Sequence, residues 1–124
     1  MAKLFVFLLM VFCHIIDDYY LQGILASMKQ RSWWKENAPG KLYRHDYLMA
    51  LAMHGFSWSF MVMLPIAVYS NFSPSALFYA LFACNCIVHS FVDDLKANRR
   101  KINLIVDQSV HIIQILMTAG LLLN

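Results

Sequence analysis

Four long apolar stretches, separated by short polar segments, limit what this chain can fold into. Each is close to the roughly 20 residues that an α-helix needs to cross the hydrocarbon core of a bilayer. They cover about residues 3–28, 43–70, 75–95 and 102–123. Because a spanning segment must satisfy its own backbone hydrogen bonds, these stretches are expected to be helical. The sequence therefore predicts an all-α fold, an integral membrane bundle of four transmembrane helices in a single domain over residues 1–124.

The composition supports a membrane protein. Hydrophobic residues make up 60% of the chain and charged residues 14%, against roughly 45–50% and about 25% in soluble domains. Disordered, collagen-like and disulfide-rich classes are excluded. A soluble four-helix bundle is an alternative, because polar residues recur at helical spacing. Lys3 followed by Leu4–Cys13 is similar to a secretory signal peptide, but no small-residue cleavage site follows, so we expect a retained first span.

The basic residues are concentrated in two of the three connections between the apolar stretches. Five occur from Lys29 to Arg44 and four from Lys96 to Lys101, out of ten lysines and arginines. With four crossings, these two connections lie on the same side of the membrane. Because cytoplasmic loops carry an excess of Lys and Arg, we expect a multi-pass protein of the bacterial inner membrane with both termini outside the cytoplasm.

Most of the acidic residues and histidines fall inside the apolar stretches or at their ends, where an Asp at a helix centre costs about 2.5–3.5 kcal/mol on insertion scales. Three His and Asp pairs are spaced four residues apart, so each pair shares one helix face. They are His14 with Asp18, His89 with Asp93, and Asp107 with His111. The second stretch contributes His54. Ionisable residues within a membrane are functional-site candidates by default.

The depth of these residues predicts that they meet. At a rise of about 1.5 Å per residue, His54 lies roughly 12 Å beyond Asp46, and His89 lies about 10 Å short of Lys96. All four stretches therefore place His or Asp towards the basic side of the membrane. Imidazole and carboxylate are the usual ligands of zinc and related ions. Seven such residues exceed one tetrahedral ion and suit one or two divalent transition-metal ions, zinc or else manganese.

The predicted site has three kinds of residue. The metal ligands are His14, Asp18, His54, His89, Asp93, Asp107 and His111. Asp17 or Asp94 is the candidate general base, and Lys96 is the candidate group for neutralising a phosphate. The supporting residues lie beside the ligands on the same helices and are Gln22, Asn85 and Gln108. The alternative is a metal-free His–Asp network that holds the helices together.

These residues also carry a family resemblance. The segment His14–Gln22 resembles the opening of DUF3307, a bacterial and phage membrane family of unknown function. His54, His89–Lys96 and Asp107–His111 follow the later blocks of that family in order. The resemblance covers almost the whole chain. It favours Asp18 over Asp17 and Asp93 over Asp94 as site residues, with Gln22, Lys96 and Gln108 in support.

More distantly, the His-x-x-x-Asp pairs are similar to the ligand pattern of zinc-dependent phospholipase C and of small membrane proteins described as metal-dependent hydrolases. This resemblance implies phosphoester hydrolysis at clustered zinc ions. The chain has no counterpart of the N-terminal Trp ligand of the soluble enzymes, so a full three-metal site does not follow.

Three functions remain open at this stage. The first is a metal-dependent hydrolase of a phosphoester in a lipid or a lipid-linked substrate. The second is a proton or metal-ion conduit. The third is a small membrane regulator or adaptor, which a phage could encode. Its basic loops would contact anionic lipid or a partner. Membrane lipid is the expected partner and a homo-oligomer is allowed. Nucleic acid is not expected, because no reading motif accompanies the few basic residues.

Overall fold

A computed structural model describes all of residues 1–124, and every regular element in it is helical. The elements are α1 (Ala2–Ile16), a π-helical turn (Asp17–Leu21), α2 (Leu25–Met28), α3 (Arg31–Asn37), a 3-10 turn (Lys41–Tyr43), α4 (Asp46–Tyr69), α5 (Ala76–Ala97) and α6 (Leu104–Leu122). The all-α prediction is confirmed.

Four helical segments are long and apolar enough to cross a membrane. They are Ala2–Leu21, Lys41–Tyr69, Ala76–Ala97 and Leu104–Leu122. Many of their large apolar side chains face outwards, including Phe5, Phe56 and Ile105. A water-soluble protein avoids such extended apolar surface, whereas lipid tails accommodate it. The chain is therefore a multi-pass membrane protein of four spanning helices, as the sequence predicts.

The first spanning helix is shorter than the predicted stretch of residues 3–28. The amide of Gln22 donates to the carbonyl of Asp17, five residues earlier, at 3.1 Å, which is the hydrogen bond of a π turn. Gly23 then has a φ of +52°, a left-handed conformation that glycine adopts at little cost. The continuous helix consequently ends at Leu21, and the short α2 follows as a separate element. The other three stretches agree with α4, α5 and α6 to within a few residues.

The interior of the bundle is divided into an apolar layer and a polar layer. The apolar layer consists of Val6, Met10, Trp58, Val62, Ile66, Ile115, Ala119 and Leu123. The polar layer lies towards the end of the bundle that carries the two basic connections, residues 22–45 and 98–103, and we call this end the basic end. The fold thus concentrates its ionisable side chains in one half of the bundle.

Helices α4 and α5 approach closely beside the polar layer. A Cβ atom on Gly55 would lie 2.8 Å from the carbonyl oxygen of Cys86 and would also meet the hydroxyl of Ser90. That hydroxyl donates to the carbonyl of Leu51 at 3.0 Å. Small residues allow helix backbones to approach in a membrane. The contact brings the ring of His54, next to Gly55, to 4.9 Å from the ring of His89.

Candidate metal centre

Each of the four spanning helices contributes to one buried cluster of histidines and aspartates, which we call the His–Asp cluster. It consists of His14, Asp17, Asp18, His54, His89, Asp93, Asp107 and His111, all of them buried. The π turn supplies Asp17 and Asp18 together. The structure brings residues from four separate segments together, as the depth argument predicts.

Within this cluster, three overlapping groups of side chains have ligand atoms that all lie within 4.8 Å of one another. The groups are Asp18 with His54 and His89, His89 with Asp93 and His111, and Asp18 with Asp107 and His111. Six of the seven predicted metal ligands are therefore placed where they could share ions. Only His14 lies outside these groups.

The ligand atoms at the centre of the cluster lack hydrogen-bond partners. They are His89 Nε2, His111 Nε2, Asp93 Oδ1 and Asp107 Oδ1. His111 Nε2 lies 3.5 Å from both carboxylate oxygens. Ligands at about 2.0–2.1 Å around a tetrahedral zinc ion are separated by roughly 3.4 Å. Because a buried polar atom without a partner is costly, this arrangement fits a shared cation.

Each central carboxylate uses its other oxygen for a partner on the outside of the cluster. Lys29 Nζ contacts Asp93 Oδ2 at 2.6 Å, and Lys96 Nζ contacts Asp107 Oδ2 at 2.6 Å. Lys29 is itself buried. The two lysines hold the carboxylates in place and leave the inward oxygens free.

His111 is held in a defined tautomer by the residues behind it. Its Nδ1 lies 3.1 Å from Gln114 Oε1, while Gln114 Nε2 faces the side-chain oxygen of Asn85 at 3.2 Å. The Gln114 oxygen therefore accepts, so we assign the imidazole proton to Nδ1. Nε2 then carries a lone pair towards the cluster centre. Such outer hydrogen bonds orient metal-binding histidines.

His54 faces Asp17 on its outer side. Its Nδ1 lies 3.7 Å from Asp17 Oδ2, and neither atom has a hydrogen-bond partner. The other oxygen of Asp17 accepts from the hydroxyl of Ser57 at 2.6 Å. On the inner side, His54 Nε2 is hydrogen-bonded to Asp18 Oδ1 at 3.1 Å and lies 3.5 Å from Asp93 Oδ2. A cation bound to His54 Nε2 would replace the hydrogen bond to Asp18. Asp17 thus faces the back of the His54 ring, in the position of a residue that orients a ligand.

His14 is engaged at both nitrogens. Trp58 Nε1 donates to His14 Nδ1 at 2.8 Å, so His14 Nε2 carries the proton and donates to Gln108 Oε1 at 3.0 Å. Gln108 Nε2 then donates to Asp18 at 2.8 Å and to Asp107 at 3.0 Å. His14 is therefore placed to orient Gln108 rather than to bind an ion directly, because neither nitrogen has a free lone pair.

The cluster is short of positive charge. The carboxylates of Asp17, Asp18, Asp93 and Asp107 are all buried, and two lysines compensate two of these four charges. With neutral imidazoles, a formal charge of −2 remains. Uncompensated charge within a membrane protein is strongly unfavourable, so the donor set and the charge both fit a divalent cation.

The structure does not bring every predicted residue to the cluster. The Asp94 carboxylate accepts from Asn98 Nδ2 at 2.8 Å and from Arg99 Nε at 3.0 Å, and it belongs to none of the three ligand groups. The side-chain amide of Gln22 donates to the backbone carbonyl of Asp18, so it does not face the ligand atoms of the cluster. Asn85 lies one contact further out, since it reaches His111 through Gln114.

Three residues of the site were missed by the sequence reasoning. Gln114 lies three positions after His111, and Trp58 lies four after His54, so helical spacing could have indicated both. The ring of Trp58 also stacks on His89 at 4.3 Å. Lys29 gives no such signal, because it reaches Asp93 only after the chain has turned at Gly23.

Comparison with known proteins agrees with the resemblance of the sequence blocks. The model of one family, "Protein of unknown function (DUF3307)", matches residues 5–123. The chain belongs to the DUF3307 family. No curated protein and no solved structure gives a significant match to this DUF3307 protein. The matched region contains the whole His–Asp cluster.

Proposed function

We propose that this DUF3307 protein is a membrane-embedded, metal-dependent hydrolase whose His–Asp cluster binds a divalent transition metal, zinc in the first place and manganese as the alternative. The observation that carries the proposal is a set of buried ligand atoms without partners, His89 Nε2, His111 Nε2, Asp93 Oδ1 and Asp107 Oδ1. Their residues belong to two overlapping ligand groups that share His111. These are the donor types that zinc prefers.

The charge of the cluster supports one or two ions. One divalent cation balances the formal charge of −2. Two ions would occupy the group of Asp18, His54 and His89 and the group of Asp18, Asp107 and His111, which share only the Asp18 carboxylate. They would leave an excess of positive charge that an anionic substrate could balance. Clustered divalent ions supply Lewis acidity and an activated water for phosphoester hydrolysis.

A groove of about 460 Å³ opens between α1 and α6, and its lining includes His14, Gln108, Tyr19 and Ile112. The groove meets the cluster at His14 and Gln108, and none of the six ligands lines it. The groove opens on the side of the bundle, where a spanning protein faces lipid. Lys96 is the partly exposed cation beside the cluster, with 29% of its side chain accessible. In this proposal Lys96 contacts an anionic group of the substrate while it stays paired with Asp107.

These features favour a phosphoester in a lipid or a lipid-linked substrate. In this proposal the basic end of the bundle, and with it the cluster, faces the cytoplasm of a bacterial inner membrane, in line with the positive-inside bias. Asp17 serves to orient His54 in this proposal. Asp94 has no part in the chemistry, because Asn98 and Arg99 occupy its carboxylate.

The other two functions are less well supported. A conduit needs polar groups along its whole length. Asn85, Gln114 and Thr118 extend the buried polar groups beyond the cluster, but Val6, Ile66 and Leu123 make the interior apolar at the end opposite the basic end. A regulator with a purely structural cluster would not need ligand atoms without partners. A metal-free protein with intact function would favour that alternative.

Hydrolysis in detergent micelles tests the proposal. Purified protein would be incubated with zinc or manganese and with phosphatidic acid, a lipid pyrophosphate or a chromogenic phosphodiester. We expect release of the hydrolysis product by the metal-loaded protein. A chelator should stop the release, and so should Asp93→Asn, whereas Asp94→Asn should leave it unchanged. Metal-loaded, folded protein that hydrolyses none of these substrates would contradict the hydrolase assignment and leave the metal site standing.

A further inference from the structure

A second polar site lies outside the His–Asp cluster, between α3 and the beginning of α4. It is a cavity of about 440 Å³, which we call the basic pocket, and its lining includes Arg31, Lys35, Lys41 and Arg44. No acidic side chain lines it. None of its residues belongs to the His–Asp cluster.

The cations of the basic pocket have no carboxylate partners. The ion pairs of Lys and Arg in this protein are Lys29 with Asp93, Lys96 with Asp107, and Arg99 with Asp94. The four cations of the pocket are all exposed and form no ion pair. Like charges that converge without a counter-charge repel one another, so the pocket is suited to an anion.

The aromatic walls of the basic pocket are held in place. Trp34 Nε1 donates to the carbonyl of Met28 at 2.6 Å, and the Trp34 ring stacks on Tyr43 with a centroid distance of 6.5 Å. The Arg31 guanidinium lies over the ring of Tyr47, 4.6 Å from its centroid. The contact with Tyr47 restricts Arg31 before any ligand arrives, which lowers the cost of binding.

The backbone around Arg31 is also fixed. Its amide donates to Asn98 Oδ1 at 2.7 Å, and Asn98 in turn donates to the carbonyl of Lys29 at 3.0 Å. The beginning of α3 is therefore tied to the end of α5. Hydrogen bonds through Asn98 therefore hold the backbone of the basic pocket in place at the end of the bundle.

We propose that the basic pocket binds a phosphate group. Two arginines and two lysines around one cavity match phosphate, because guanidinium forks bind its oxygens in pairs and ammonium groups add charge. The pocket lies where the span Lys41–Tyr69 begins, at the level where phospholipid headgroups lie. The phosphate of an anionic lipid and free phosphate share this chemistry, and the experiment distinguishes them.

The experiment compares two double variants of the full chain. Arg31→Gln with Arg44→Gln removes two charges from the pocket, and Arg100→Gln with Lys101→Gln removes two charges from the other basic connection. One arm titrates inorganic phosphate by calorimetry in a neutral detergent. The other measures retention of phosphatidylglycerol over phosphatidylcholine by native mass spectrometry.

We expect the pocket variant to weaken binding of at least one probe by about tenfold or more, since charge-assisted hydrogen bonds to phosphate are lost. The control variant should stay within about twofold. Binding in the phosphate arm alone identifies free phosphate, and binding in the lipid arm identifies a headgroup. Equal weakening by both variants, or no binding of either probe, would overturn the proposal.

A second pair protects against a folding defect. Lys35→Gln with Lys41→Gln removes the two pocket lysines and leaves the Arg31 contacts with Tyr47 and Asn98 in place. This pair should also weaken binding, whereas unchanged binding in folded protein would contradict the pocket. The zinc content of all variants should match that of the wild type, so the result is independent of the proposed hydrolase.

Discussion

The Nε2 atom of His111 on α6 lies 3.5 Å from the Oδ1 atom of Asp93 on α5, and neither atom has a hydrogen-bond partner. A cation shared by these two atoms would join two spanning helices. The same histidine lies 3.5 Å from Asp107 Oδ1 on its own helix. Stability and metal binding should therefore be linked in this protein.

Metal removal should lower thermal stability. An ion that binds only the folded state stabilises it by about 2.7 kcal/mol when its free concentration is 100 times its dissociation constant. Unfolding in detergent with and without a chelator measures the difference. We expect a lower melting temperature with the chelator and no such shift in His111→Ala. Equal shifts in both proteins would show that the chelator acts elsewhere.

Gln114→Leu should weaken metal binding without touching a ligand. The substitution removes the acceptor that holds the Nδ1 proton of His111, and loss of such outer partners typically costs about 10–100-fold in metal affinity. Competition with a fluorescent zinc indicator measures the affinity. Ser109→Ala on the same helix is the control, because the hydroxyl of Ser109 contacts only the Ile105 carbonyl. Wild-type affinity in Gln114→Leu would remove this residue from the site.

Gly55→Ala should disturb the approach of α4 and α5. The added Cβ would meet the Cys86 carbonyl at 2.8 Å, and such overpacking typically costs about 1–3 kcal/mol. Gly120→Ala is the matched control, since nothing lies within 4 Å of a Cβ there. Unfolding by a denaturing detergent compares the two. A Gly55→Ala variant that is as stable as Gly120→Ala would contradict the described packing.

Lys29→Met should destabilise the bundle. Lys29 is buried and pairs with Asp93 at 2.6 Å, and breaking a buried pair typically costs about 3–5 kcal/mol because the remaining charge is uncompensated. Lys35→Met, at an exposed lysine without an ion pair, is the control. The same denaturation measures both variants. Added zinc should partly restore Lys29→Met, because the ion offsets the charge of Asp93.

Much of the fold and the cluster could be predicted from the sequence. The apolar stretches have the length of spanning helices, and the spacing of four residues places His89 with Asp93 and Asp107 with His111 on single faces. Depth along each helix then predicts which faces meet. These arguments depend only on helix geometry, which is why they bring together the same residues that lie together in the structure.

Other features depend on contacts that helix geometry does not contain. The π turn and Gly23 end the first helix early and return Lys29 to Asp93. The role of His14 is decided by Trp58 and Gln108, which occupy both of its nitrogens. Spacing alone makes His14 equivalent to His89.

The metal content of the protein tests the central claim most directly. Protein purified without chelators and incubated with zinc would be analysed by elemental mass spectrometry, with X-ray absorption at the zinc edge to identify the ligand atoms. The account predicts one or two zinc ions per chain bound by histidine nitrogen and carboxylate oxygen, and loss of zinc in a folded variant with His89→Ala and His111→Ala. Folded wild-type protein that binds neither zinc nor manganese would contradict it.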